Sequence, residues 1–194
     1  MKLTFSILLL MSGALVAGCS DSTLVASEAD QIEFADPATT VFSGPSCEGL
    51  PATIYVGRDR IIVGGKLDGE PYSGLLLGTS GTDVIVGSPR NDVIHAGKGD
   101  DIICGRAGHD VIIAGNGDDI INGGEHDDVL KGRKGNDLLV GNEGNDKLEG
   151  DEGDDILSGG EGDDILIGGA DHDILDGSTG EDRCEEGEEL TDCE

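Results

Sequence analysis

From Gly78 onward the sequence repeats a nine-residue unit without interruption, and this period restricts the chain to a repetitive architecture. Twelve copies run to Glu185, of which "GGEGDDILI" (159–167) is representative. The eighth position is Ile or Leu in the first eleven copies and Cys184 in the twelfth. The sixth position is aspartate in every copy: Asp83, Asp92, Asp101, Asp110, Asp119, Asp128, Asp137, Asp146, Asp155, Asp164, Asp173 and Asp182.

Each nonad divides into a turn and a strand. Glycine at positions one, two and four allows a positive φ and a tight turn, while positions seven to nine favour a strand of about 10 Å. Because side chains alternate along a strand, we expect position eight to point inward and positions seven and nine outward. Two nonads then make one coil, and each aspartate lies above the aspartate eighteen residues away, as Asp83 lies on Asp101.

This stacking of carboxylates requires a counter-charge. Two carboxylates about 5 Å apart repel by roughly 3 kcal/mol at an effective dielectric near 20. A hard divalent cation with six to eight oxygen ligands fits, because carboxylates and turn carbonyls from two neighbouring coils supply its oxygens together. We expect calcium rather than magnesium, since magnesium demands a stricter octahedron and keeps its waters.

The nonads resemble the G-G-x-G-x-D-x-U-x pattern of RTX calcium-binding proteins over residues 78–185. The resemblance implies an all-β fold, a right-handed parallel β-roll or β-helix solenoid with short capping segments. It also implies Ca²⁺ in the turns, ligated by the twelve position-six aspartates and by backbone carbonyls. Pairing each nonad with the next but one allows at most ten sites. The repeats hold 27 acidic and 8 basic residues, a net charge of −19 that ten calcium ions nearly neutralise.

Some copies depart from the pattern. Arg90, His126 and Asp171 replace glycine at position four, where we expect weaker sites because non-glycine residues disfavour a positive φ. Ala96 and Ala114 replace glycine at position one. The additional aspartates at position five, in the "DD" pairs, are interpreted as solvated turn residues.

The N-terminus is typical of an export signal. Residues 1–18 combine a positive start, a short apolar stretch and small residues, and "LVAGC" resembles the lipobox of bacterial lipoproteins, in which Cys19 becomes lipidated. An ordinary secretory signal is the alternative. We expect a lipoprotein signal peptide at 1–18, a flexible tether at 19–46 and an N-terminal cap with degenerate coils at 47–77. The twelve nonads at 78–185 and a C-terminal cap at 186–194 follow.

A lipidated Cys19 leaves four cysteines, which allow two disulfides in three connectivities. The segments around Cys47 and after Cys184 resemble those that bracket the repeats in exported members of the RTX family. With these segments as caps, we favour Cys47 paired with Cys104, at an outward position nine, and Cys184 paired with Cys193.

The charge and the histidines argue against other functions. A net charge of −29 excludes nucleic acid and anionic membrane surfaces as partners, so membrane attachment is expected only through the lipid. The four histidines are spread over repeat positions four, five and nine and form no zinc motif. The regular spacing of the carboxylates is explained by calcium, and we expect no catalysis.

Position seven is apolar in ten of twelve copies, and the odd copies form a ladder on one sheet: Val84, Ile102, Ile120, Leu138, Ile156 and Ile174. Simple strand propensity explains this as well as an interface with a partner or a second copy does. The sequence thus predicts a calcium-binding, non-catalytic roll, exported and lipid-anchored at the bacterial envelope as a scaffold or adhesion module. The alternative is a polysaccharide-binding accessory module of a carbohydrate-active system.

Overall fold

The computed structural model describes residues 46–48, 50–56, 62–63 and 72–193. The predicted signal peptide, Cys19 and all but the last residue of the predicted tether lie outside the described residues. Within the described part the chain is all β and forms a parallel solenoid of about six turns. No helix long and apolar enough to cross a membrane occurs among these residues.

Strands account for most of the described chain. The first six are short: β1 Ser46–Cys47, β2 Leu50–Pro51, β3 Ile54–Val56, β4 Ile62–Val63, β5 Leu75–Leu77 and β6 Val84–Val86. The next ten have six residues each: β7 Val93–Lys98, β8 Ile102–Ala107, β9 Val111–Asn116, β10 Ile120–Glu125, β11 Val129–Lys134, β12 Leu138–Glu143, β13 Lys147–Glu152, β14 Ile156–Glu161, β15 Ile165–Ala170 and β16 Ile174–Thr179. The last two are β17 Arg183–Glu185 and β18 Glu189–Thr191.

Two sheets, parallel except for the antiparallel pair β3–β4, stack the coils, in a register of eighteen residues from β5 to β17. One sheet runs β18-β16-β14-β12-β10-β8-β6-β3-β4 and the other β17-β15-β13-β11-β9-β7-β5, so consecutive nonads alternate between sheets. Ile120, for example, pairs with Ile102 on one side and with Leu138 on the other. The predicted solenoid of two nonads per coil is therefore confirmed.

The core is the row of position-eight side chains between the two sheets. From Ile85 to Leu175, all eleven Ile and Leu residues of this row are 0% exposed. Each stacks on the residue eighteen positions away, so burying it requires both neighbouring coils. The predicted inward orientation of position eight is confirmed.

The strands are longer than the three residues expected. From β7 to β16 each strand continues through positions one to three of the next nonad, and position one also faces the interior, where Ala96 is 0% and Ala114 1% exposed. The backbone groups of these positions pair with the next coil instead of being left unpaired in a turn, which satisfies otherwise costly polar groups.

Disulfide bonds fasten the chain segments that flank the nonads. At the N-terminal end, Cys47 is disulfide-bonded to Cys104, with a Cα–Cα distance of 5.8 Å, and the two pack with Val84 and Val86 in a small buried cluster. At the C-terminal end, Cys184 is bonded to Cys193 across β17 and β18. Both pairs are those favoured from the sequence. The segment around Cys47 consequently covers Val84, the first residue of the position-seven ladder. Val84 is 9% exposed, against 46% for Ile156 further along the ladder.

Candidate metal centre

The position-six aspartates lie inside the turns rather than on the surface. All twelve are buried, with exposed fractions of 1% to 6%. Each directly precedes a strand, so the backbone fixes its side chain at the edge of the core row. Stacking in the eighteen-residue register forms two columns, one along each edge of the roll.

In ten of the aspartates, one carboxylate oxygen accepts a hydrogen bond from the backbone of the preceding coil. Oδ1 of Asp101 accepts a hydrogen bond from the backbone N–H of Asp83 at 2.8 Å, and the same bond recurs at every coil up to Asp164 and Asp182. The ten bonds measure 2.7–2.9 Å. At the C-terminal end Oε2 of Glu188 takes the same role and accepts from the N–H of Asp173 at 2.8 Å. The aspartates thus tie each coil to the one before it.

The other oxygen, Oδ2, has no partner in these ten aspartates. It is buried and accepts no hydrogen bond in Asp101, Asp110, Asp119, Asp128, Asp137, Asp146, Asp155, Asp164, Asp173 and Asp182. A buried carboxylate oxygen without a donor is costly, and here the cost is repeated ten times in register. This arrangement requires a positive group that the described side chains do not supply.

Position one explains how a second oxygen approaches. A Cβ built on Gly105 would lie 2.5 Å from Oδ2 of Asp110 and 2.5 Å from the carbonyl oxygen of Gly123, one coil further on. The two oxygens are therefore within about 5 Å of each other, a span that one cation bridges with bonds of about 2.3–2.6 Å. Glycine keeps this space clear of side-chain atoms.

This corrects the expected role of the glycine at position one. Positive φ values occur at positions two and four, as in Gly97 (φ 119°) and Gly99 (φ 109°), but not at position one. Position one needs glycine for space and not for φ. At position four His126 and Asp171 adopt φ values of 81° and 82°, whereas Arg90 does not have a positive φ.

Burial raises the pKa of the position-six aspartates from Asp92 to Asp173. Loss of water is the main cause, hydrogen bonds from backbone N–H groups oppose it, and neighbouring carboxylates add to it at most positions. The pKa is raised to about 8 in Asp110 and Asp137 and to about 7 in Asp119 and Asp146. It is raised to about 6 in Asp92, Asp101, Asp128, Asp155 and Asp164. Without a cation, the fold therefore disfavours the charged form of these carboxylates.

Position five forms a second ladder that the sequence interpretation missed. Oδ1 of Asp100 accepts from the backbone N–H of Asp118 at 3.1 Å, and Oδ1 of Asp118 accepts from Asn136 at 2.9 Å. These side chains are exposed, as expected, but they reach the following coil, whereas the position-six side chains reach the preceding one. The frequent Asp or Asn at position five of the nonad is the sequence feature that could have predicted this ladder.

The donor set is made of isolated carboxylates and the backbone. Among the described residues, no three His, Cys, Asp or Glu side chains form a group that could hold a metal ion. His109, His126 and His172 lie on the turn surface, where the rings of His109 and His126 meet edge to face, 5.5 Å apart. A cation in the turns would therefore be held by a carboxylate oxygen and neighbouring carbonyls, all hard oxygen ligands suited to calcium.

Comparison with known proteins agrees with this chemistry. The family model of the RTX calcium-binding nonapeptide repeat (4 copies) matches residues 77–112, 105–139, 113–148, 123–157 and 149–184, which together span 77–184. This is more than half of the chain. A search of curated proteins found no match.

Proposed function

We propose that this chain, which belongs to the family of RTX calcium-binding nonapeptide repeat proteins, uses its position-six aspartates to hold calcium ions that complete the fold. RTX nonapeptide repeats bind Ca²⁺, and stacked aspartates lie along this solenoid. The observation that carries the assignment to individual residues is the set of ten buried Oδ2 oxygens without a hydrogen-bond partner.

The two oxygens of each of these carboxylates have different roles. Oδ1 is held by a backbone N–H of the preceding coil, which fixes the side-chain direction, and Oδ2 remains available as a ligand. Glycine at position one admits the carbonyl oxygen of the next coil to the same space. A bound calcium ion supplies the positive charge that lets the buried carboxylates ionise together.

Calcium suits this site better than magnesium. Backbone carbonyls and a single carboxylate oxygen per aspartate form an irregular, all-oxygen environment, which calcium accepts with six to eight ligands. Magnesium requires a near-ideal octahedron with shorter bonds and dehydrates reluctantly. The fixed stacking of the coils does not adapt to that requirement.

The test is a calcium titration of the full-length chain, followed by far-UV circular dichroism, with magnesium as the control. We expect a cooperative gain of β signal with calcium only, because repelling carboxylates and a core one residue wide leave the calcium-free coils marginal. A full β signal in chelator that calcium does not change would overturn the assignment.

We also propose that the chain is exported and anchored by a lipid on Cys19, acting at the bacterial envelope as a calcium-stabilised scaffold or adhesion module. RTX repeats are structural, non-catalytic domains typical of exported proteins, and two disulfides favour an oxidising compartment. The motif "LVAGC" supports the lipid anchor.

The anchor is tested by phase partitioning of cell extracts in Triton X-114. The wild-type chain is expected in the detergent phase and the Cys19→Ala variant in the aqueous phase. Partitioning of both into the aqueous phase would exclude lipidation, while leaving the calcium assignment untouched.

A further inference from the structure

The first two nonads, residues 78–95, differ from the other ten in how their aspartates are satisfied. Oδ2 of Asp83 accepts hydrogen bonds from the backbone N–H of Thr79 at 2.7 Å and from its hydroxyl at 2.9 Å. Oδ2 of Asp92 accepts from the N–H of Ser88 at 2.6 Å, and Oδ1 accepts from its hydroxyl at 3.1 Å. These two aspartates are absent from the set with a partnerless Oδ2.

The sequence explains the different turn. Position two has a positive φ from the third nonad onward, but neither Thr79 nor Ser88 has one. Thr79 is β-branched, which makes a positive φ especially unfavourable, and Pro89 confines Ser88 to extended backbone. The strand therefore ends at position nine, and the N–H of position two turns inward to the carboxylate.

The last nonad supplies a natural comparison. It also has serine at position two, but Ser178 is followed by Thr179 rather than proline and adopts a φ of 70°. Its N–H donates to Asp176, and Oδ2 of Asp182 is left without a partner. The hydroxyl alone is thus not sufficient, and the local backbone decides whether the carboxylate is satisfied by the chain.

The same first coil is fastened to the N-terminal cap. Thr53 and Val84 exchange hydrogen bonds, with the N–H of Val84 donating to Oγ1 of Thr53 at 2.8 Å. The disulfide between Cys47 and Cys104 joins the cap to the strand that follows this coil. In the first coil, protein groups therefore donate hydrogen bonds to both aspartates and pair with the edge of the strand at Val84.

We propose that residues 78–95 form a calcium-independent coil, in which Thr79 and Ser88 take the place of the ion, and that this coil templates the calcium-driven folding of the other ten nonads. The proposal rests on the calcium function proposed above. It assigns ion binding to ten aspartates and none to Asp83 and Asp92.

The first test is hydrogen exchange with mass spectrometry on the full-length chain. In chelator, peptides within 78–95 should exchange at least ten-fold more slowly than peptides within 114–185, and saturating calcium should remove this difference. Equal, fast exchange of both regions in chelator would overturn the template. Failure of calcium to protect residues 114–185 would instead overturn the calcium function itself.

The second test counts bound ions by native mass spectrometry. The Asp83→Ala, Asp92→Ala double variant should keep ten calcium ions but lose the protection of 78–95 in chelator. The matched Asp164→Ala, Asp173→Ala variant should bind fewer ions and keep that protection. Fewer than ten ions in the first variant would show that its aspartates are ligands and refute the proposal.

Two milder substitutions test the proposal even if the alanine variants misfold. Thr79→Gly should speed exchange of 78–95 in chelator at least several-fold, because glycine removes the hydroxyl and allows the alternative turn. Ser178→Gly, at the same position of the last nonad, should leave that exchange unchanged. Equal effects of the two substitutions would contradict a special role for the first coil.

Discussion

Replacing Asp137 by asparagine should stabilise the calcium-free roll and weaken the calcium-bound one. Asp137 is 3% exposed, and its Oδ2 has no hydrogen-bond partner. Loss of water, opposed by the hydrogen bond from the N–H of Asp119, and repulsion from Asp119 and Asp155 together raise its pKa to about 8. Asparagine keeps an acceptor for that N–H, at present bonded at 2.8 Å, and removes the buried charge.

The sign of the pH effect follows from the raised pKa values. Without calcium, the folded state binds protons more tightly than the unfolded chain, so this stability is complete below about pH 4, is lost as the pH rises from about 4 to 8, and is absent above about pH 8. With these raised pKa values, the folded roll retains about three more protons than the unfolded chain at pH 7, which gives a loss of about 4 kcal/mol per pH unit. Asp137→Asn removes about one of these protons and should flatten the slope by about 1 kcal/mol per pH unit.

The assay is osmolyte-induced folding in chelator at pH 6, 7 and 8, with trimethylamine N-oxide added because the calcium-free roll is marginal. Folding is followed by far-UV circular dichroism, and a calcium titration is run in parallel. Glu143→Gln is the matched control, because Glu143 is exposed and does not contribute to the raised pKa of Asp137. The control should keep the wild-type slope. A wild-type roll that is more stable at pH 8 than at pH 6 in chelator would refute the reasoning, as would an unchanged slope in Asp137→Asn.

Three further predictions concern the fold. Leu148→Ala, in the 0% exposed core row, should cost about 2–5 kcal/mol in urea unfolding with calcium, and Ile165→Ala, at an outward position, less than about 1 kcal/mol; equal losses would contradict the assigned core. Removing the Cys47–Cys104 disulfide, whose cysteines are 57 residues apart, should lower the free energy of unfolding by about 4 kcal/mol in calorimetry. Removing the Cys184–Cys193 disulfide, whose cysteines are 9 residues apart, should lower it by about 2.5 kcal/mol. The reverse order would exclude loop closure as the cause. Gly123→Ala places a methyl group 2.5 Å from Oδ2 of Asp128 and should lower the free energy of unfolding by about 1–3 kcal/mol. It should also raise the calcium concentration at the midpoint of folding. An unchanged midpoint would mean that the space at position one is not needed.

The sequence was sufficient for the features that depend on period alone. A nine-residue repeat with Ile or Leu at position eight predicts alternating sheets, an eighteen-residue register and a one-residue-wide core, all of which the structure has. The favoured cysteine pairs are also present. These features repeat in every coil, so an exception in a single copy does not obscure them.

Other features depend on backbone detail that a pattern does not contain. Glycine at position one looks the same in sequence as glycine at position two, yet only the latter has a positive φ. Likewise aspartate is invariant at position six, but Thr79 and Ser88 change the surroundings of Asp83 and Asp92 through local turn geometry. The twelve aspartates therefore fall into two groups that composition does not separate.

The eighteen-residue register also fixes the smallest unit by which a gene encoding such a roll can grow or shrink. Duplicating eighteen residues within 96–176 adds one whole coil, lengthens the rod by about 4.8 Å and recreates the same junctions. Duplicating nine residues moves every later nonad to the opposite sheet and brings the C-terminal cap against the wrong edge. Natural and engineered length variants are therefore expected in steps of two nonads, with the two caps unchanged.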